Sequence, residues 1–193
     1  MQLVFATNNL HKLQEVQALL HTNIRLISLT EIGCTEDLSE TGNTLVANAK
    51  QKAIYIRKKY DVKCFADDTG LEIEALGGNP GVLSARYAGE EKNSEKNIEK
   101  ILGQMKNITH RNASFKTVIA LILGKKEFLF EGRIDGIILK EKRGENGFGY
   151  DPIFQPLGST KTFAEMSMEE KNKISHRAIA IKKLAEFLNS TNL

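Results

Sequence analysis

The sequence predicts an α/β protein built on a mixed sheet, and three features point there. Short apolar runs that read as strands alternate with segments whose apolar residues recur at helical spacing. Two longer strand candidates, FKTVIALIL (115–123) and KEFLFEGRIDGIIL (126–139), follow one another across Gly124-Lys125, the mark of a hairpin. A last helical pattern closes the chain. Alternating strands and helices supply parallel pairing and a hairpin supplies antiparallel pairing, so the sheet is mixed.

Taken in order, LVFA (3–6) is a strand that runs into Thr7-Asn8-Asn9. A helix follows, with Leu13, Val16, Leu19 and Leu20 on one face. A second strand, IRLISL (24–29), leads into a polar stretch ending SETGNT (39–44). The next helix covers about 44–60, with Leu45, Ala49, Ala53 and Ile56 at helical spacing. Strand KCFA (63–66) reaches the acid pair Asp67-Asp68, and LEIEAL (71–76) is its continuation or its hairpin partner. After the glycine-rich segment 77–89, residues 93–105 form an amphipathic helix, and the hairpin comes next. A loop, RGENGFGYDP (143–152), precedes the short strand IFQP. One helix is expected over 167–189, opened by a capping box of Ser167 and Glu170, with Ile174, Ala178, Ile181, Leu184 (or Ala185) and Leu188 inward.

The 193 residues suffice for one sizeable domain or two small lobes. No repeat or linker divides them, so one folding unit is expected. A composition 41% hydrophobic and 26% charged is that of an ordinary soluble protein. The net charge of +3, with both signs interspersed, argues against a dedicated nucleic-acid surface. Cys34 and Cys64 stand apart and form no metal-binding spacing, which suits buried thiols in a reducing cytoplasm. No apolar run approaches the ~20 residues that span a bilayer. A cytoplasmic protein without membrane or nucleic-acid partners is expected.

Five places carry groups suited to chemistry. Thr7, Asn8 and Asn9 stand where a helix N-terminus offers backbone N–H groups, with Lys12 one turn on, a setting for phosphate or for simple N-capping. Glu40 ends the polar loop, and Asn48 and Lys52 lie at i and i+4 on the following helix, which by themselves describe a capped, solvated helix. Asp67 and Asp68 sit at the expected C-terminal end of a strand, where α/β proteins place their sites. Paired carboxylates there suit Mg²⁺, or else a turn through Thr69-Gly70. Phe148 and Tyr150, set among glycines, could stack on a base beside Asp151, or plug the core. Lys171, Ser175, His176 and Arg177 gather at the start of the last helical pattern. Together these describe a site for a nucleoside triphosphate with Mg²⁺.

The ordered blocks TNNLHKLQE, SETGNTLVANAKQKA, ADDTGLEIEALGGNPGVLSARYAG, NGFGYDPIF and AEMSMEEKNKISHRA closely resemble the inosine triphosphate pyrophosphatase family across essentially the whole chain. The one departure, Thr69 where many members carry Ser, keeps the hydroxyl. The resemblance implies an elongated mixed sheet with flanking helices, two lobes around a central cleft, a single catalytic domain and a homodimer. It implies Mg²⁺-dependent hydrolysis of dITP, ITP and XTP to the monophosphate and pyrophosphate. By position, Thr7, Asn8, Asn9, Lys12, Lys52 and Thr69 are implied to hold phosphates. Glu40 and Asp68 are implied to bind metal with Asp67 close by, and Asp68 to accept the proton. Phe148, Gly149, Tyr150 and Asp151 are implied to line the base pocket, and Lys171, Ser175, His176 and Arg177 to complete it. Two rivals remain from the residues themselves: a nucleotide-binding sensor without turnover, and a sanitiser of modified pyrimidine triphosphates.

Overall fold

Seven strands and five α-helices follow one another in the computed structural model, which describes residues 1–20 and 24–191. Strand β1 (Gln2–Phe5) leads into helix α1 (Leu10–Leu19), then β2 (Arg25–Ile27) and α2 (Leu45–Tyr60). The long β3 (Cys64–Ile73) precedes the short β4 (Pro80–Gly81) and α3 (Ser94–Gln104). Strands β5 (Asn112–Leu123) and β6 (Lys126–Ile138) form the hairpin, followed by β7 (Phe154–Pro156), α4 (Met168–Ile174) and α5 (His176–Ser190). The strand order is β2-β1-β3-β5-β6-β7, with β4 on β3. Pairing of β1 with β2 and β3 is parallel, Val4 facing Ile27 and Cys64, whereas β3–β4 and β6–β7 are antiparallel. The expected mixed sheet with flanking helices is therefore present.

The chain divides into two compact units, one comprising 1–68, 117–132 and 177–193 and the other 69–116 and 133–176. In the first, Leu3, Phe5, Phe65, Ile119 and Leu121 meet Val16 of α1 and Ala180, Ile181, Leu184 and Leu188 of α5. Phe5 and Phe65 stack at 4.5 Å, on neighbouring parallel strands. In the second, Leu71, Ile73, Ile98, Ile101, Phe115, Phe154 and Phe163 form the core. Phe115 meets Phe154 edge-on, with ring centroids 4.6 Å apart.

Two elements differ from the sequence expectation. Residues 64–73 are one continuous strand, so 71–73 continue it, as one of the two readings had it, but Asp67 and Asp68 lie inside it rather than at its end. The strand tolerates them because side chains from three helices neutralise or hydrogen-bond both acids, as described below. The expected helix over 167–189 is two helices. Ser167 and Glu170 do form a capping box. Ser175, with φ −68° and ψ 152°, then breaks the helical path. Ile174, expected inward, is consequently exposed, while Ala178, Ile181, Leu184 and Leu188 are buried as the spacing predicts.

Candidate functional site

In the first unit a polar cluster is assembled around β3. Asn9 caps α1, its side chain accepting from Lys12 N at 3.1 Å. Thr7 Oγ1 accepts from Asn9 N at 3.2 Å, and Asn8 donates to the Glu36 carbonyl at 3.2 Å. This compact turn starts α1 so that Lys12, one turn in, reaches β3. Lys12 Nζ donates to Asp67 Oδ1 at 3.0 Å, and Arg177 Nε to Asp67 Oδ2 at 3.3 Å. The Arg177 guanidinium also pairs with Glu15, three residues after Lys12 on α1. From α2, Lys52 Nζ donates to Glu40 at 2.5 Å and to the Asp67 carbonyl at 2.7 Å. Asn48, one turn earlier, donates to Asp68 Oδ2 at 2.9 Å. The face carrying Asn48 and Lys52, expected to be solvated, is buried. Its polar atoms are satisfied by acids on β3 and the preceding loop, which a helical wheel cannot reveal.

The two adjacent acids are electrostatically unlike. Burial opposes ionisation of Asp67, but Lys12 and then Arg177 overcome it and hold the carboxyl well below the ordinary carboxylate range. Burial raises Asp68, against the pull of Lys52 and Lys12, and the charge of Glu40 raises it further. Burial lowers the Lys12 ammonium despite Asp67. For Lys52, burial is outweighed by Glu40, Asp68 and Asp67, and its pKa is raised.

Glu40 and Asp68 present hard oxygen ligands whose mutual repulsion a divalent cation would relieve, so they fit Mg²⁺. That ion commonly takes one or two carboxylates plus water and substrate phosphates. Asp67, expected beside them, is instead the counter-ion of Lys12 and Arg177 and is the weaker candidate ligand. Among the described residues no group of three or more His, Cys, Asp or Glu side chains forms a ready metal cage.

In the second unit a smaller cluster forms on the loop before β7 and on α4. Lys171 Nζ donates to Asp151 Oδ2 at 2.6 Å, and the same oxygen accepts from Phe148 N at 2.9 Å. Gly147, at φ +75°, makes this turn possible, because a Cβ there would collide with Asp151 Oδ2. Phe148 is half-buried, with the Lys171 ammonium 5.2 Å from its ring centre. Gly149 is next to it on the same turn, at φ +61°. His176 stacks on Phe115 at 4.6 Å, its plane within 13° of parallel. Ser175 ends α4, its N–H donating to the Lys171 carbonyl at 2.9 Å. Thr69 follows Asp68 in β3 and is half-buried.

Two residues expected at the base pocket make polar contacts with other parts of the protein. Tyr150 is 5% exposed in the second unit's core, and its hydroxyl donates to the Ser84 carbonyl at 2.7 Å. Burial pushes its pKa far above the ordinary value. It plugs the core because positive-φ Gly147 and Gly149, both just before it, turn the loop backbone without adding side chains. Arg177 belongs with Asp67 and Glu15 in the first unit, because the break at Ser175 starts a new helix. Sequence reasoning missed Glu15 altogether. Its only signal was an acid at helical spacing from Lys12.

The profile of the Ham1 family matches residues 3–187. The chain belongs to that family. A dITP/XTP pyrophosphatase of Christiangramia forsetii is 56% identical over 98% of this chain and all of that protein. One from Flavobacterium psychrophilum is 53% identical over 98% of the chain and all of its own length. Among solved structures, a Ham1 protein from Coxiella burnetii superposes with a TM-score of 0.90 at 40% identity, covering 99% of this chain and 100% of that one. These matches bear out the resemblance of the five sequence blocks to the inosine triphosphate pyrophosphatase family. No helix among the described residues is long and apolar enough to cross a membrane.

Proposed function

We propose that the chain hydrolyses non-standard purine nucleoside triphosphates (dITP, ITP and XTP) between the α- and β-phosphates, giving the nucleoside monophosphate and pyrophosphate. One observation carries the chemistry: Asp68, raised by burial, lies among Glu40, Asn48, Lys12 and Lys52. A carboxylate so perturbed is suited to take a proton at working pH. Phosphoryl transfer otherwise needs positioning and neutralisation more than covalent help.

Glu40 and Asp68 would hold Mg²⁺, which supplies neutralisation of phosphate charge. Asp68 orients the attacking water and accepts its proton. Lys12 and Lys52 neutralise the departing pyrophosphate, and the backbone of Thr7–Asn9, with Thr69, binds phosphate oxygens. Phe148 stacks on the purine ring. Lys171 and His176 are the donors assigned to the oxygen at C6 of hypoxanthine and xanthine. Adenine carries an amino donor there, and mismatching a buried polar site costs about 10⁴-fold or more. A homodimer working in the cytoplasm, each chain a single catalytic domain, completes the proposal.

The test is a panel of nucleoside triphosphates, with products separated chromatographically. Monophosphate and pyrophosphate from dITP, ITP and XTP, well ahead of ATP and GTP, are expected. Diphosphate and orthophosphate would exclude cleavage between α and β. Binding without turnover would favour a sensor, and preference for modified pyrimidines would favour a different sanitising enzyme.

A further inference from the structure

We propose that Asn48 is a positioning residue for Asp68: its amide, anchored by the backbone of Gly42, fixes the Asp68 carboxylate in register with Glu40. The proposal rests on the role assigned to Asp68 above. Thr44 caps helix α2, its side chain accepting from Ala47 N at 3.1 Å, and this start places Asn48 on the same face as Lys52. Asn48 is fully buried. Its Oδ1 accepts from Gly42 N at 2.8 Å, and its Nδ2 donates to Asp68 Oδ2 at 2.9 Å.

A backbone N–H can only donate, so Gly42 dictates which end of the amide is oxygen. The nitrogen must then face Asp68, and a flip would break both bonds. Gly42 is what lets the loop come this close: a Cβ there would stand 2.6 Å from Ala47 Cβ and 2.9 Å from Asn48 Oδ1. Glu40 is two residues before Gly42 on the same loop. One side chain thus ties the loop bearing one proposed metal ligand to the carboxylate of the other. Hydrogen-bond partners behind metal ligands fix ligand orientation in this way.

A neighbouring clamp provides the control. Gln51 Oε1 accepts from Thr41 N at 3.0 Å, and Gln51 Nε2 donates to Thr41 Oγ1 at 3.0 Å. It holds the same loop, but among the described residues its side-chain hydrogen bonds go to Thr41 and not to Asp68. If Asn48 acted only as a loop anchor, losing either clamp would do similar harm.

The full-length protein and its Asn48→Ala, Asn48→Asp and Gln51→Ala variants are compared in dITP hydrolysis. Mn²⁺ binding without nucleotide is followed by electron paramagnetic resonance, and folding by thermal melting. Asn48→Ala is expected to lower kcat, and to weaken Mn²⁺ binding, by about 10–100-fold, the range for lost partners behind metal ligands. KM should change little, because the substrate's own contacts remain. Gln51→Ala should keep wild-type kcat and Mn²⁺ affinity. Asn48→Asp keeps the shape and the acceptor for Gly42 but not the donor, so it too should lose kcat, and it decides the matter if Asn48→Ala fails to fold. A folded Asn48 variant with wild-type kcat, or Gln51→Ala losing as much as Asn48→Ala, overturns the assignment. If the wild type releases no pyrophosphate from any triphosphate, the functional proposal fails, and the Mn²⁺ comparison still decides the role of Asn48.

Discussion

Replacing either of the adjacent acids on β3 with its amide should have opposite consequences for the fold. Asp67 is 1% exposed and accepts from the half-buried Lys12 and the buried Arg177, at 3.0 and 3.3 Å. Asp67→Asn keeps one oxygen but turns an NH₂ group toward a cation and removes the carboxylate that pairs with Lys12 and shares Arg177 with Glu15. Removing one partner of a buried ion pair costs about 3–5 kcal/mol, and the retained oxygen places this variant at the lower end, about 3 kcal/mol. For a chain of this size that lowers Tm by about 6–12 °C. Asp68→Asn neutralises a carboxylate that burial and Glu40 already disfavour, so its Tm should match or exceed the wild type while kcat falls by about 10²–10⁴-fold.

The pH dependence carries opposite signs too. Asp67 has a folded pKa below its unfolded value, so its stabilisation is present above about 4 and fades as pH falls below that. Asp68 has a folded pKa above its unfolded value, so its penalty grows as pH rises from about 4 through the folded pKa. Melts of both variants from pH 3 to 8, with pyrophosphate release from dITP, test this. An Asp67→Asn protein melting with the wild type, or an Asp68→Asn protein that is the less stable of the two, would refute the assignment of counter-ion and base.

Three further outcomes are expected. Tyr150→Phe removes the hydroxyl that satisfies the buried Ser84 carbonyl, so it should cost about 1–3 kcal/mol while leaving kcat and KM for dITP unchanged. A several-fold rise in KM would return Tyr150 to the base pocket. Phe148→Ala should raise KM and erode discrimination against ATP with little change in kcat, and an unchanged KM would remove its stacking role. The Cys64 thiol is pushed up to about 12 by burial and donates to the Ala53 carbonyl at 3.2 Å. Iodoacetamide at pH 8 should therefore reach Cys64 only after denaturation, and peptide mapping that finds it alkylated in the folded protein would contradict this.

The sequence by itself determined most of the elements, because hydrophobic period is a local property. The spacing of Leu45, Ala49, Ala53 and Ile56 specified α2 nearly to the residue, and Gly124-Lys125 specified the hairpin. Ser167 and Glu170 marked a helix start. The order of the five motif blocks was enough to indicate the family. Tertiary structure decided what the charges do. A strand through Asp67 and Asp68 is unfavourable on local grounds, since ionised carboxylates out of water cost several kcal/mol. The strand continues because Lys12, Asn48, Lys52 and Arg177, from three separate helices, converge on those acids. The same convergence turned a helix face that looked solvated into a buried polar one, and paired Arg177 with Asp67 and Glu15. Compensation between residues as far apart as Glu15 and Arg177 leaves no trace in spacing, because the Coulomb energy that selects it depends on distance in space and on burial, not on separation along the chain.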